Sequence, residues 1–230
     1  MKIGGFQKTS LLDYPDRISA IVWTNGCNFH CPFCYNKNLA LGTAELFPED
    51  EIFSFLSKRK KQLEGVVISG GEPLIQEDIV DFVKRIKDLG LLVKIDTNGA
   101  FPEKLRELLE KQLVDYVAMD VKAPREKYRL LTGIEVDLAK IDASINLIKT
   151  KAPLYEFKTT FIPGFLKKDD IVEIAEWLKG IDVYYLQQFK IIKPLVSSTL
   201  ETVVPYPQNY LYETLSAIRP FFKRCDVRGV

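Results

Sequence analysis

A chain of 230 residues, 47% of them hydrophobic, is long enough to bury a sizeable core as one domain or two. Its 32 basic and 31 acidic side chains leave a net charge of +1, which excludes bulk electrostatic attraction to nucleic acid and leaves only a local patch open. The first 25 residues hold no apolar run fit for a signal peptide or membrane span, so a cytoplasmic protein without membrane attachment is expected. Such a reducing compartment agrees with thiolates kept for metal rather than for disulfides.

From residue 18 onward short β-branched runs alternate with amphipathic stretches, with no Ser/Gly linker between them. Residues 1–230 therefore read as a single α/β domain. The first strand is expected at Ile18–Thr24, ahead of a cysteine-rich loop. A helix opens at Pro48, a favoured first-turn position, with Ile52, Phe53, Phe55 and Leu56 as its core face. Strand Gly65–Ser69 precedes a helix over Glu77–Leu89, where Ile79, Phe82, Val83, Ile86 and Leu89 recur at helical spacing and Gly90 supplies the cap. The remaining units pair strand Leu91–Asp96 with helix Pro102–Lys111, and strand Asp115–Asp120 with helix Asp137–Lys149. Strand Leu154–Phe161 pairs with helix Lys168–Lys179, and strand Asp182–Phe189 with helix Gln208–Phe222. Trp177 and Phe222 read as core.

Six such units build either an open partial (β/α)6 barrel or a doubly wound flat sheet, and periodicity alone does not separate the two. The unusual residues fall just past the strand ends, at the rim that carries active sites in barrels. The cysteine loop follows the first strand, Ser69-Gly70-Gly71-Glu72-Pro73 the second, Asp96-Thr97-Asn98-Gly99 the third and Asp120-Val121-Lys122 the fourth. Ile162-Pro163-Gly164 and Gln187-Gln188 close the last two.

The loop Cys27-Asn28-Phe29-His30-Cys31-Pro32-Phe33-Cys34-Tyr35 holds three of the four cysteines at the spacing CxxxCxxC. A structural zinc site closes with four ligands, whereas three thiolates leave one position open for chemistry, and three soft ligands on one loop suit an iron-sulfur cube. The alternative is a zinc-binding interaction module with His30 as fourth ligand, against which His30 sits directly beside Cys31, with its ring expected to point away. Cys225 reads as a plain thiol. With aromatic Phe33 and Tyr35 flanking the third cysteine, the loop resembles the radical S-adenosylmethionine (SAM) superfamily, whose hallmark is CxxxCxΦC. The resemblance implies the partial TIM-like (β/α)6 barrel and a 4Fe-4S cluster held by Cys27, Cys31 and Cys34. It also implies SAM on the fourth iron through its amino and carboxylate groups.

Paired glycines at a strand end let a ligand approach the backbone and leave carbonyls free to accept from an ammonium group, although a tight turn needs them equally. Gly70-Gly71-Glu72 resembles the superfamily's GGE motif, which implies that they bind the SAM amine. Asp96, Asp120 and Lys122 either tie two loops together or serve SAM, with Lys122 against its carboxylate and the acids holding its amine, its ribose or a cation. Asp96-Thr97-Asn98-Gly99 followed by Asp120-Val121-Lys122 resembles the glycyl-radical-enzyme activases, in which these positions bind SAM. Lys158 stands where those activases often carry arginine, and the change removes a bidentate contact.

Leu11-Leu12-Asp13-Tyr14-Pro15, leading into the first strand and the cysteine loop, resembles the activating proteins of anaerobic ribonucleoside-triphosphate reductase, and the likeness runs from Gly5 to Gly229. Asp16 replaces the usual glycine, and Tyr35, in the adenine pocket, stands where histidine is frequent. This resemblance implies reductive cleavage of SAM, with an electron from a flavodoxin- or ferredoxin-type donor, and hydrogen abstraction from a glycine of the partner enzyme. Asp13 is the residue expected to contact that target loop, with Lys122 beside it as the second catalytic candidate. A radical SAM enzyme acting on a small molecule, of the deazapurine carboxy-synthase kind, is the rival reading.

Overall fold

The computed structural model describes residues 1–230. Eight strands lie side by side in chain order: β1 (Ile3–Ser10), β2 (Ser19–Thr24), β3 (Gly65–Gly70), β4 (Leu92–Thr97), β5 (Tyr116–Asp120), β6 (Leu154–Phe161), β7 (Val183–Gln188) and β8 (Arg224–Arg228). β1 pairs antiparallel with β2, and every later pair is parallel. The helices are α1 (Lys37–Ala40), α2 (Glu49–Arg59), α3 (Ile79–Asp88), α4 (Pro102–Glu110), α5 (Tyr128–Thr132), α6 (Leu138–Lys151), α7 (Lys168–Trp177) and α8 (Gln208–Ile218). None is long and apolar enough to cross a membrane. This is the partial barrel of parallel strands expected from the sequence, with β2–β7 as its six core strands and two further strands, β1 and β8, extending the sheet.

Alternation along each strand separates two faces. Ala20 and Val22 of β2, Val66 and Ile68 of β3, Val93 and Ile95 of β4, and Val117 and Met119 of β5 join the large core covered by helices. The intervening residues face inward. Ile21, Val67, Tyr116 and Ala118 form a small apolar floor together with Tyr14, while Lys94, Asp96, Asp120, Glu156 and Lys158 continue the same inward parity with charge. Parallel strands covered by helices are commonly apolar on both faces, so ionised side chains on the inner one mark a cavity rather than a second core.

The helices follow from their local chemistry. Asp137 accepts from the Ala139 amide as the N-cap of α6, and Gly90 ends the α3 turn with φ +81°. Pro48 is the N-cap of α2 rather than its first helical residue, and Ile52 and Leu56 are buried while Phe53 and Phe55 are half-buried at its flank. The last helix stops at Ile218, four residues before the expected Phe222, because Pro220 cannot donate into a continuing turn and a 3-10 turn over Arg219–Phe221 takes over. Trp177 and Phe222 pack as core, against Tyr128 and Tyr184 respectively.

Asp16 occupies the left-handed region at φ +60°. Glycine, which the resemblance implies at this turn, adopts that conformation freely, whereas a side chain there costs about 1–2 kcal/mol, with aspartate at the low end. Asp16→Gly is expected to leave the melting temperature unchanged or raise it, by up to about 1 kcal/mol in stability. A clear loss of stability in a thermal melt would show that the Asp16 side chain contributes something the turn geometry does not reveal.

Candidate active site

The cysteine loop leaves the C-terminal end of β2 and is anchored on every side by main chain. The Gly26 amide donates to Leu39 (2.7 Å), the Glu72 amide to Gly26 (2.9 Å) and the His30 amide to Thr132 (2.8 Å). The Val196 and Ser197 amides close the far side on Cys34 (3.0 Å) and Pro32 (2.9 Å). Phe29, 2% exposed, pins the middle of the loop into the core. Segments distant in sequence therefore fix the three sulfurs before anything binds them.

Cys27, Cys31 and Cys34 all line one cavity of about 620 Å³ at the C-terminal rim of the sheet. Burial pushes the Cys27 thiol up to about 12 and Cys31 to about 11, and raises Cys34, so deprotonation waits on a metal. No three His, Cys, Asp or Glu side chains converge as ligands of a single ion. A cube takes one thiolate on each of three different irons, a donor set that three cysteines on one loop supply. His30 is exposed, away from the buried sulfurs. Cys225 lies on the helix-covered face in register with Tyr184, outside the cavity.

The two glycines expected to make room for a ligand have a prior reason to be glycines. A Cβ on Gly70, whose φ is +115°, would stand 2.4 Å from the Thr24 amide nitrogen, and one on Gly71 would stand 1.9 Å from the carbonyl oxygen of Gly26. The turn after β3 thus lies directly on the base of the cysteine loop, backbone on backbone.

Glu72 is 1% exposed and accepts from three donors: the Leu74 amide (3.1 Å), the Thr97 hydroxyl (2.8 Å) and the Asn98 amide (2.7 Å). It borders the cavity but chiefly ties the end of β3 to that of β4. Thr97 and Asn98 are likewise engaged, Thr97 with Glu72 and Asn98 with Asn28 (2.8 Å) and the Ala100 amide (3.0 Å). Burial pushes the Glu72 carboxyl up to about 7, against the pull of its donors. With the folded value above the ordinary ~4.3, the contribution of this group is fully present below about 4 and is lost as pH rises to about 7. Glu72→Gln should flatten that stretch of the stability–pH curve. It should also cost about 1–3 kcal/mol at neutral pH by setting an amide N–H2 against the donors, read in denaturant titrations of the apoprotein.

The charged floor forms one chain of contacts. Lys158 Nζ stands between Asp96 (3.6 Å) and Asp120 (3.7 Å), Lys94 meets Asp96, and Lys122 meets Asp120 (3.3 Å). Burial alone would raise Asp96, but Lys158 and Lys94 outweigh it and bring the carboxyl down to about 2. Lys122, also 5.9 Å from the centre of the Phe33 ring, is held protonated chiefly by Asp120 despite burial. The lysine at 158 thus bridges two carboxylates as a point charge, a task that needs no bidentate fork. Phe33 is buried, whereas Tyr35 is 50% exposed at the cavity edge.

Asp13 lines the mouth of the cavity and accepts from the Ser10 hydroxyl, which also receives the Leu12 and Asp13 amides. Tyr14, the next residue, is 3% exposed and packs edge-on against Tyr116 at 5.9 Å in the barrel floor, so it does not share the exposed surface of Asp13. Sequence reasoning missed Lys94, Glu156 and Arg228. Glu156 is 1% exposed, receives the Tyr116 hydroxyl (2.8 Å) and pairs with Arg228 through both guanidinium ends (2.6 and 2.8 Å).

Three thiols, a glycine turn and paired carboxylates and lysines thus line the C-terminal rim of the parallel strands. Residues 21–178 match the radical SAM superfamily, and the chain belongs to it. With that membership come a 4Fe-4S cluster and SAM as cofactors. Among its relatives, a Methanocaldococcus jannaschii protein described as a glycyl-radical enzyme activating enzyme is 37% identical over 193 residues, 82% of this chain and 80% of its own. Streptococcus suis SuiB bound to S-adenosylmethionine superposes with a TM-score of 0.70 at 15% identity, over 88% of this chain and 48% of SuiB. A domain of pyruvate-formate lyase-activating enzyme from Bacteroides vulgatus gives 0.57 at 18% identity, over 72% of this chain and 99% of that domain.

Proposed function

We propose that this chain is a glycyl-radical-enzyme activase, with an anaerobic ribonucleoside-triphosphate reductase as the partner that its Leu11–Pro15 segment favours and a flavodoxin- or ferredoxin-type protein as electron donor. On this reading Cys27, Cys31 and Cys34 hold the cluster, and the turn at Gly70–Glu72 with Asp96, Asp120, Lys122 and Lys158 holds SAM. Tyr35 and Phe33 border the adenine end. When bound, the cluster and SAM supply a 5′-deoxyadenosyl radical on one-electron reduction. The protein contributes anchored ligands, a charge-paired floor that orients the methionine end, and a mouth that admits the target while limiting water.

The observation that carries the activase reading over a small-molecule one is the commitment of the inner cations. Lys94, Lys122, Lys158 and Arg228 each already face a carboxylate of the chain. These four cations share three carboxylates, Asp96, Asp120 and Glu156, which leaves about one positive charge for the SAM carboxylate, and a neutral peptide needs no more. At the mouth, Leu12 is 91% exposed beside Asp13, and Leu11 before it in the chain is 69% exposed, as suits a surface completed by another protein.

The test is anaerobic mixing of reduced protein, SAM and an anaerobic ribonucleoside-triphosphate reductase, followed by electron paramagnetic resonance. A glycyl doublet is expected with the parent. Asp13→Ala should give at least about a tenfold weaker signal because misplacement of the target hydrogen is costly. No doublet with the parent, together with SAM-dependent conversion of a small molecule, would transfer the assignment to the rival.

A further inference from the structure

Cys27 differs from the other two cysteines of the loop in what surrounds its sulfur. The Phe29 amide donates to Cys27 Sγ at 3.4 Å, and the side-chain nitrogen of Asn98, just past the end of β4, reaches it at 3.9 Å. Cys31 and Cys34 have no side-chain donor. Asn98 is 5% exposed and its orientation is fixed by its neighbours. The Ala100 amide, which can only donate, lies 3.0 Å from Asn98 Oδ1 and so decides which end of the side chain is oxygen. The other end carries two protons and meets two acceptors, Asn28 Oδ1 at 2.8 Å and the Cys27 sulfur. The backbone beneath is held as well, because the Asn98 amide donates to buried Glu72 at 2.7 Å and the Thr97 hydroxyl donates to the same carboxylate at 2.8 Å.

A thiolate accepts more strongly than a thiol, since hydrogen bonds to charged partners are shorter and roughly twice as strong as neutral ones. An N–H aimed at a ligating sulfur favours the more negative, reduced form of a cluster and so raises its potential. We propose that Asn98 is a positioning residue of the cluster rather than a ligand of SAM: its side-chain N–H donates to the Cys27 sulfur and makes the cluster easier to reduce. The resemblance implied SAM as the partner of Asn98, but both of its side-chain protons are already engaged within the chain. This inference goes beyond the activase reading and does not rest on it, because any substrate of the radical needs the same first electron.

The test is a potentiometric titration of the anaerobically reconstituted protein, read by electron paramagnetic resonance of the reduced cluster. Asn98→Leu keeps a similar shape and removes the donor. At an iron content equal to the parent's, the ratio of reduced to oxidised cluster at a fixed potential should fall about threefold to tenfold, a downward shift of up to about 59 mV for one electron. Thr97→Val loosens the same strand end by taking a hydroxyl from Glu72 but leaves the donor in place, so its potential should match the parent's. A shift of equal size in both variants, or no shift in Asn98→Leu, overturns the proposal. A second measurement needs no variant and so decides the matter even if Asn98→Leu loads less iron. The parent is labelled with 15N in its asparagine side-chain amides, and electron-nuclear double resonance of the reduced cluster should show a coupled nitrogen. Absence of that coupling equally overturns the proposal.

Discussion

Changing any one of Cys27, Cys31 or Cys34 to alanine is expected to abolish the cluster, taking about four irons per chain and the sulfur-to-iron charge-transfer band to near zero. The loop offers no substitute ligand. His30 is exposed, and Cys225 is buried on the opposite, helix-covered face of the sheet. Two thiolates cannot hold a cube whose fourth iron must stay open, so the loss should be complete rather than graded. Cys225→Ala should keep the band and the iron. Iron analysis and the visible spectrum after anaerobic reconstitution decide the matter, and stoichiometric zinc in place of iron would sink the assignment.

Gly71→Val should be nearly as damaging, for a reason that only the structure supplies. From the sequence, a β-branched residue here blocks SAM and leaves the cluster intact. The structure instead puts the added Cβ 1.9 Å from the Gly26 carbonyl oxygen and 3.2 Å from the Cys27 amide nitrogen, so the substitution displaces the cysteine loop itself. Both cluster loading and SAM binding should fall, with a lower melting temperature. Gly90→Ala is the control. That glycine also has positive φ, +81°, but a methyl added there would meet nothing within 4 Å, so the change should cost only the backbone strain of about 1–2 kcal/mol and leave iron content unchanged. Full iron loading in Gly71→Val would contradict the loop-on-loop contact.

The six core strands were legible because each is a short β-branched run bounded by polar turns. β1 and β8 were not. β1 contains Gly4-Gly5 and a polar Gln7-Lys8-Thr9 stretch with exposed side chains, as an edge strand allows, and β8 reads Arg-Cys-Asp-Val-Arg, with charges that mask its alternation. The cysteines and the strand-end motifs were readable because their residue types are costly anywhere else. Lys94, Glu156 and Arg228 were missed although a signal existed: Val93-Lys94-Ile95-Asp96 and Tyr155-Glu156-Phe157-Lys158 alternate charge with apolar residues inside strands that a fully apolar barrel would not need. The role of Tyr14 could not be read at all, because burial under the barrel floor against Tyr116 depends on how the chain folds back before β2.

The most direct measurement follows the hydrogen atom. The partner enzyme is prepared with glycine deuterated at its α-carbon, mixed anaerobically with the reduced, SAM-loaded protein, and the 5′-deoxyadenosine formed is weighed by mass spectrometry. The account predicts one deuterium in that product, in step with the glycyl doublet on the partner. 5′-Deoxyadenosine that carries no deuterium while the partner stays free of radical would contradict it.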